Sequence, residues 1–281
     1  MNGVSEPPEP SEPLPLSRAN RYTQIVERIF FKGYQEGARE VQFSRDDMIQ
    51  AAQELQIALP KNIGDVLYSF RYRGVLPDSI RAKAPAGEEW VIRSVGRSLY
   101  RFVAMRPTPL IPNPSLVEIK LPDATPGIVI KYAHGDEQAL LARVRYNRLI
   151  DIFTGVTSYS LQSHLRTTAP DVGQIETDEI YVGVNKQGAQ FVLPVQAKGK
   201  TDRLGVVQIE QDFVLCEDRF PDLICRPIAA QFMAEGVIAL FSFVRQDGAV
   251  RILDEKHYHL VPSANITSSE LAEYRGATNE Q

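Results

Sequence analysis

The stretch from Glu176 to Lys198, ETDEIYVGVNKQGAQFVLPVQAK, constrains the fold more than any other part of the chain. Ile180 to Val184 and Phe191 to Val195 are runs rich in β-branched and aromatic residues, and Asn185-Lys186-Gln187-Gly188 separates them. Two such runs around a glycine-containing turn predict a β-hairpin. Side chains alternate faces along a strand. Glu176 and Asp178 are therefore expected on one face of the first strand, and Gln196 and Lys198 on one face of the second. Strand pairing then brings a carboxylate, an amide oxygen and an ammonium to one end of an otherwise apolar hairpin.

The length of 281 residues allows one large domain or two smaller ones, and 43% apolar residues are enough to build a core. The net charge of -4 gives no overall pull toward nucleic acid, although local basic patches remain open. Cys216 and Cys225 are too few for a disulfide framework and suit a reducing interior. No zinc-ligand spacing is present, no N-terminal secretory pattern is readable, and no apolar run reaches the ~20 residues of a membrane helix. A cytoplasmic protein without membrane contact is expected.

Taken in order, residues 1–16 are rich in Pro, Glu and Ser and read as an extended tail. Residues 17–105 read as a small α+β domain. Ser17 is a candidate helix cap ahead of Tyr22, Ile25, Ile29 and Phe30. Ser44 and Asp47 form a capping-box pattern before a second helix, and Pro60 opens a third with Ile63, Val66, Leu67 and Phe70 on one stripe. Two strands follow, with Gly96 between them. Fourteen basic residues stand against ten acidic ones between Arg18 and Arg101. Lys61, Arg71 and Arg73 bracket the third helix, and Arg93 and Arg97 lie on or beside the hairpin, so all five are candidate DNA contacts. Residues 106–116, with four prolines from Pro107 to Pro114, read as a stiff linker.

Residues 117–262 read as a second domain. Val117 to Leu121 and Gly127 to Tyr132 read as strands. A helix is expected from Asp136 to Phe153. The polar stretch from Gly155 to Thr168 follows, and its Ser160, His164 and Arg166 suit phosphates. After the hairpin, Val206, Ile209, Phe213, Cys216 and Phe220 recur at helical spacing. Gln208, Gln211 and Asp212 fall off that stripe and read either as solvated surface or as facing the site. Leu223 to Phe232 reads as a strand with an irregularity at Pro227, and further strands run from Val237, turn at Asp247-Gly248 and end near Val261. Residues 263–281 read as a polar tail.

Asp178 offers a hard anionic oxygen, Gln196 a neutral one, and the carbonyl of Ala197 a third. Such oxygens suit Mg²⁺ or Mn²⁺. Lys198 beside them can orient a water or stabilise a charged phosphoryl transition state.

This arrangement resembles the PD-(D/E)xK nuclease superfamily, and more narrowly its type II restriction endonucleases. The matching residues are Asp178, Gln196 and Lys198, with Gln196 in place of the usual acid. The resemblance covers about residues 117–261 and implies an α/β fold with a restriction-endonuclease-like mixed sheet flanked by helices. Helix, helix, helix and hairpin in residues 17–105 is likewise the order of a winged-helix domain. Pro170-Asp171 is a literal PD, but Asp178 is nearer the QxK end of the hairpin. Glu176 is a further candidate at the site, and Glu137 can approach from the preceding helix. The resemblance implies a Mg²⁺-dependent endonuclease acting on double-stranded DNA as a homodimer, with the apolar C-terminal strands available as an interface. A DNA-binding regulator with a silent nuclease-like domain, or a protein-interaction module, are the rival readings.

Overall fold

The computed structural model describes residues 18–279, apart from 62, 69, 72–74, 108–109, 133–136, 170–171, 201 and 203. The expected tail at 1–16, the Ser17 cap, Arg73, the Asp136 cap and the alternative Asp171 lie outside the described residues. The protein is mixed α/β, with a three-stranded sheet in the N-terminal part and an eight-stranded sheet flanked by helices in the rest.

The smaller part packs α1 (Arg18–Gly33), α2 (Arg45–Glu54), α3 (Gly64–Tyr68) and the short α4 (Asp78–Arg81) against β1 (Glu40–Ser44), β2 (Glu89–Gly96) and β3 (Leu99–Met105). All pairs in this sheet are antiparallel, in the order β1-β3-β2. Phe30, Phe102 and Trp90 meet edge to face at its core, with ring centroids 5.1 Å apart for both Phe30–Trp90 and Phe30–Phe102. The capping box expected at Ser44 is formed: its Oγ accepts from Asp47 N, and Asp47 Oδ2 accepts from Ser44 N.

The larger part contains β4 (Glu118–Pro122), α5 (Gly127–Tyr132), α6 (Glu137–Tyr146), α7 (Leu149–Thr154), β5 (Thr157–Ala169), β6 (Gly173–Val184), β7 (Gln190–Lys198), α8 (Val206–Arg219), β8 (Ile224–Cys225), β9 (Ile228–Phe232), β10 (Val237–Gln246), β11 (Ala249–Val261) and α9 (Ser268–Asn279). The sheet order is β4-β11-β10-β9-β7-β6-β5, with β8 beside β7. The β7–β9, β7–β8 and β4–β11 pairs are parallel and the others antiparallel. One face packs on α6 and α7 through Leu140, Val144, Leu193 and Val195. The opposite face packs on α8 through Ile209, Phe213, Leu215 and Cys216.

Several expectations are corrected. Gly127 to Tyr132 is a helix, not a strand. Pro126, which lacks an N–H and is preset for a helical first turn, starts the turn by accepting from Val129 and Ile130 N through its carbonyl. The helix expected from 136 to 153 is two helices, because Arg148 takes a left-handed conformation (φ 50°) between them. The polar stretch after Gly155 is a 13-residue edge strand, β5. The strand from Leu223 breaks at Arg226-Pro227 into β8 and β9. In the C-terminal strands Val237 to Phe243 are all buried and β11 lies between β10 and β4, while the outer half of this hairpin, with Val244 and Leu253, is exposed. The polar tail carries a helix, α9.

The proline-rich linker is docked rather than free. Leu110 is buried in the cluster that contains Val207 and Phe213, and Asn113 N donates to Glu255 Oε1 at 2.7 Å. Among the described residues, no helix is long and apolar enough to cross a membrane.

Candidate active site

The site lies where β6 and β7 stop pairing. Their ladder runs from Val184↔Gln190 to Glu179↔Val195, and the turn is closed by Asn185, whose Oδ1 accepts from Gln187 and Ala189 N. Beyond Glu179 the strands splay, and side chains take over the vacated hydrogen bonds. Asp178 Oδ2 accepts from Ala197 N at 2.8 Å, and Gln196 Nε2 donates to the Glu176 carbonyl at 3.2 Å. In a strand the N–H and C=O of one residue point to the same neighbour. The Ala197 carbonyl therefore faces the same opening as its N–H, toward Asp178.

β5 is irregular at the same level. Ser163 pairs with Glu179 and Leu165 with Thr177, while His164, between them, has φ 50°. The alternation of β6 breaks here too. Ile175 and Thr177 face α8, whereas Glu179 and Tyr181 face α6. Residues two apart on a regular strand share a face, so the backbone turns over at Asp178. That turn explains why Glu179, on the far face, is bound by Arg145 and Ser160 (2.7 and 2.6 Å) instead of joining the site.

Lys198 is 8% exposed, and its Nζ lies 3.5 Å from Glu137 Oε1 at the start of α6. Gln138 Nε2 and His164 Nε2 are 2.9 Å apart. The first turn of α6 thus closes one side of the opening. Burial raises the Asp178 carboxyl pKa, against the lowering effects of the Ala197 N–H and the Lys198 charge.

α8 closes the other side with a group that composition and motif spacing did not single out. Asp212 is fully buried, and both its oxygens accept from Gln196 Nε2 at 3.1 Å. Thr177 Oγ1 donates to Oδ1 at 2.7 Å. Burial pushes the Asp212 pKa up to about 7, with the Thr177 and Gln196 hydrogen bonds and Lys198 opposing and the Asp178 charge adding to the rise. Gln208 Nε2 reaches Gln196 Oε1 at 3.5 Å. The signal in the sequence was the polar group Gln208, Gln211 and Asp212 on an otherwise apolar helix. The structure buries all three, which removes the solvated-surface alternative.

Gln196 is accordingly held by Asp212, Gln208 and the Glu176 backbone rather than projecting freely beside Asp178. Glu176 turns its carboxylate to Arg166 across the strands at 3.0 Å, yet remains close enough for its charge to raise the Asp178 pKa. Among the described residues no three His, Cys, Asp or Glu side chains form a metal cage. What the opening offers is two hard oxygens, Asp178 and the Ala197 carbonyl, with the Asp212 carboxylate enclosed behind the Gln196 amide. That set fits a cation that retains several waters, as Mg²⁺ does, and does not fit a soft metal.

The candidate DNA contacts divide. Lys61, Arg97, Ser160, His164 and Arg166 are exposed. Arg71 and Arg93 are not on an outer face. They lie in the seam between the two sheets, where Arg93 Nη2 is 2.5 Å from Glu210 Oε1 on α8. The small sheet docks on α8 there, so the putting of a basic residue on β2 next to the hairpin did not put it at the solvent.

No family model, curated protein or solved structure matches this chain.

Proposed function

We propose that this protein is a metal-dependent endonuclease of duplex DNA with the restriction-endonuclease-like fold. The observation that carries the reading is the convergence of Asp178, the Ala197 backbone and Lys198 at the splayed end of the β6–β7 hairpin. Asp212 strengthens it. The negative charge that Gln196 lacks is provided one layer back, by a carboxylate that Gln196 itself contacts. Asp178 and the Ala197 carbonyl would hold a divalent cation, with Gln196 beside them and the Asp212 charge one layer behind. When bound, that cation offsets charge on the scissile phosphate and acidifies a water.

The chain's own residues do the rest. Lys198, buried among acids and next to Glu137, holds a fixed positive charge at the position where a phosphate oxygen gains charge. Glu137 fixes the Lys198 ammonium, and Gln138 fixes the His164 ring at the entrance. The exposed β5 edge places His164 at the opening and Arg166, paired with Glu176, beside it as phosphate contacts, while the Ser160 hydroxyl is held by Glu179 on the other face. The N-terminal part is read as a winged helix from its element order and its β1-β3-β2 sheet, with Lys61 and Arg97 as its exposed cations. Cutting both strands calls for two such sites, hence a homodimer, and a type II restriction role is the specific form of the proposal. A cytoplasmic location goes with that role.

A second reading is a DNA-binding regulator. It is favoured by Gln196, whose amide nitrogen is tied to Asp212.

The deciding experiment incubates mixed-sequence duplex DNA with wild type and Lys198→Ala, with and without Mg²⁺. Metal-dependent fragments from wild type, falling by about 10²–10⁴-fold in the variant, are expected. DNA that stays intact with both proteins, yet is retarded in a gel, transfers the reading to the regulator.

A further inference from the structure

The chain contains two cysteines, and the fold brings them together. Cys216 lies on the inner side of α8 and is 1% exposed, while Cys225 of β8 is half-buried. α8 ends where Phe220 N donates to the Cys216 carbonyl, and Leu223 N donates to the Phe220 carbonyl in the turn that sends the chain back along its own helix. Cys225 then pairs with Val192 of β7, and Arg226 N donates to the Val192 carbonyl, so the returning strand is fixed. The Cys225 thiol points at α8 and donates to the Asp212 carbonyl at 3.9 Å. Cys216 stands one helical turn after Asp212, so its own N–H is directed at that same carbonyl. Cys225 also packs on the apolar cluster that contains Cys216. Hydrogen-bond contact with the Cys225 thiol, and then burial, push the Cys216 thiol up. Both side chains are free thiols. A disulfide forms without backbone movement only where two cysteines already lie close and face each other. Here a helix and a paired strand hold them so, and one of the two is reachable from solvent.

We propose that Cys216 and Cys225 form an oxidation site, in which hydrogen peroxide joins α8 to β8 through a reversible disulfide. Cys225, the more accessible sulfur, reacts first as its thiolate. It attacks peroxide and breaks the O–O bond, taking one oxygen as a sulfenic acid while hydroxide leaves and takes up the thiol proton as water. The Cys216 sulfur then attacks the Cys225 sulfur. The S–S bond forms, the S–O bond breaks, and the expelled hydroxide takes the Cys216 proton as a second water. Two thiols are oxidised and one peroxide is reduced. The bond lies one helical turn from Asp212, and so fixes the turn of α8 that presents this carboxylate to Thr177 and Gln196. This site goes beyond the nuclease reading, and its test makes no use of DNA.

Full-length wild type, Cys216→Ala and Cys225→Ser are treated with equimolar hydrogen peroxide, unfolded, alkylated with iodoacetamide and weighed by mass spectrometry. Wild type is expected to lose the mass of two hydrogens and both alkylation sites, to stay a single chain on a non-reducing gel, and to regain both thiols with dithiothreitol. Cys216→Ala should leave a sulfenic acid on Cys225 that dimedone traps, and Cys225→Ser should keep Cys216 as a thiol. Methionine oxidation, shared by all three proteins, is read from the variants. Oxidised wild type should melt about 5 °C higher than the reduced form, because the bond constrains the unfolded chain, while the Cys225→Ser melt should not respond to peroxide. The proposal is overturned if both wild-type thiols remain alkylatable, if the disulfide joins two chains, or if Cys225 proceeds to a sulfinic acid with Cys216 still a thiol. An internal disulfide that leaves wild type melting no higher than its reduced form overturns the clamp on α8.

Discussion

Asp212 is a carboxylate with no solvent exposure, and its ionisation is resisted by burial and by the Asp178 charge. Its pKa rises from an ordinary 3.8 to about 7. A raised acid favours the folded state while it is protonated. Its contribution is complete below the ordinary value and is lost as pH rises through about 7. Asp212→Asn removes that slope. Melting temperatures of the two proteins, compared across this interval, should shift in favour of the variant as pH rises, and two parallel curves would refute the argument. Saturating Mg²⁺ at alkaline pH should raise the melting temperature of wild type more than that of the variant, because a ligand stabilises the state that binds it. Gly183 makes a separate demand at this scale. A Cβ built there would lie 2.6 Å from the carbonyl of Thr157, the first residue of β5, and 2.7 Å from Cγ1 of Val156 just before it. Gly183→Ala should cost about 1–3 kcal/mol through overpacking, read from urea unfolding. The pairing of Asp178 with the QxK stretch was legible from strand alternation and turn position. The turnover of β6 at Asp178 was not, because it depends on β5 and on the Ala197 N–H.

At the scale of elements, the hairpin, the Ser44 capping box and α8 were readable because each rests on local chemistry: a Gly turn, a side-chain cap, a helical apolar stripe. Gly127 to Tyr132 was not, since a short apolar run fits either a strand or a helix. α9 was missed although its cap is local. Thr267 Oγ1 accepts from Glu270 N at 3.2 Å, and Glu270 Oε2 accepts from Thr267 N at 2.7 Å. The polar composition around the cap hid it. The helix has a structural role at the sheet margin. Tyr274 Oη accepts from Lys120 N at 3.0 Å, and Glu270 pairs with Lys120 Nζ at 2.7 Å. Both contacts cover β4, an outer strand of the large sheet. An uncovered strand edge is a template for pairing with another chain. Deleting residues 263–281 should therefore cause concentration-dependent self-association, visible by light scattering after size exclusion. A truncated chain in the same association state as full length would sink this role for α9.

At the scale of the molecule, the two sheets are joined through α8. Val91 and Met105 of the small sheet pack on the cluster that contains Val207 and Phe213, and Leu110 of the linker is buried there too. Arg93 and Glu210 make the ion pair of this seam, and burial raises the Glu210 pKa while Arg93 lowers it. Arg93→Ala, Glu210→Ala and the double variant form a cycle. A coupling of about 0.5–3 kcal/mol is expected from denaturant unfolding, as for partners in direct contact. Strict additivity would mean that the pair does not join the two parts.

By itself the sequence determined the local pieces: the hairpin and its turn, the helix with polar residues interrupting an apolar stripe, the Ser44-capped helix and the hairpin near the N-terminus, and the candidates Asp178, Gln196 and Lys198. These follow from interactions a few residues long, which patterning encodes directly. Only the tertiary structure decided that Asp212 stands behind Gln196, that Glu179 leaves the site for Arg145, and that Arg71 and Arg93 enter a seam instead of facing outward. Each of those outcomes is set by which strand end splays and which helix covers it. Such contacts join residues far apart in the chain, and no local pattern records them.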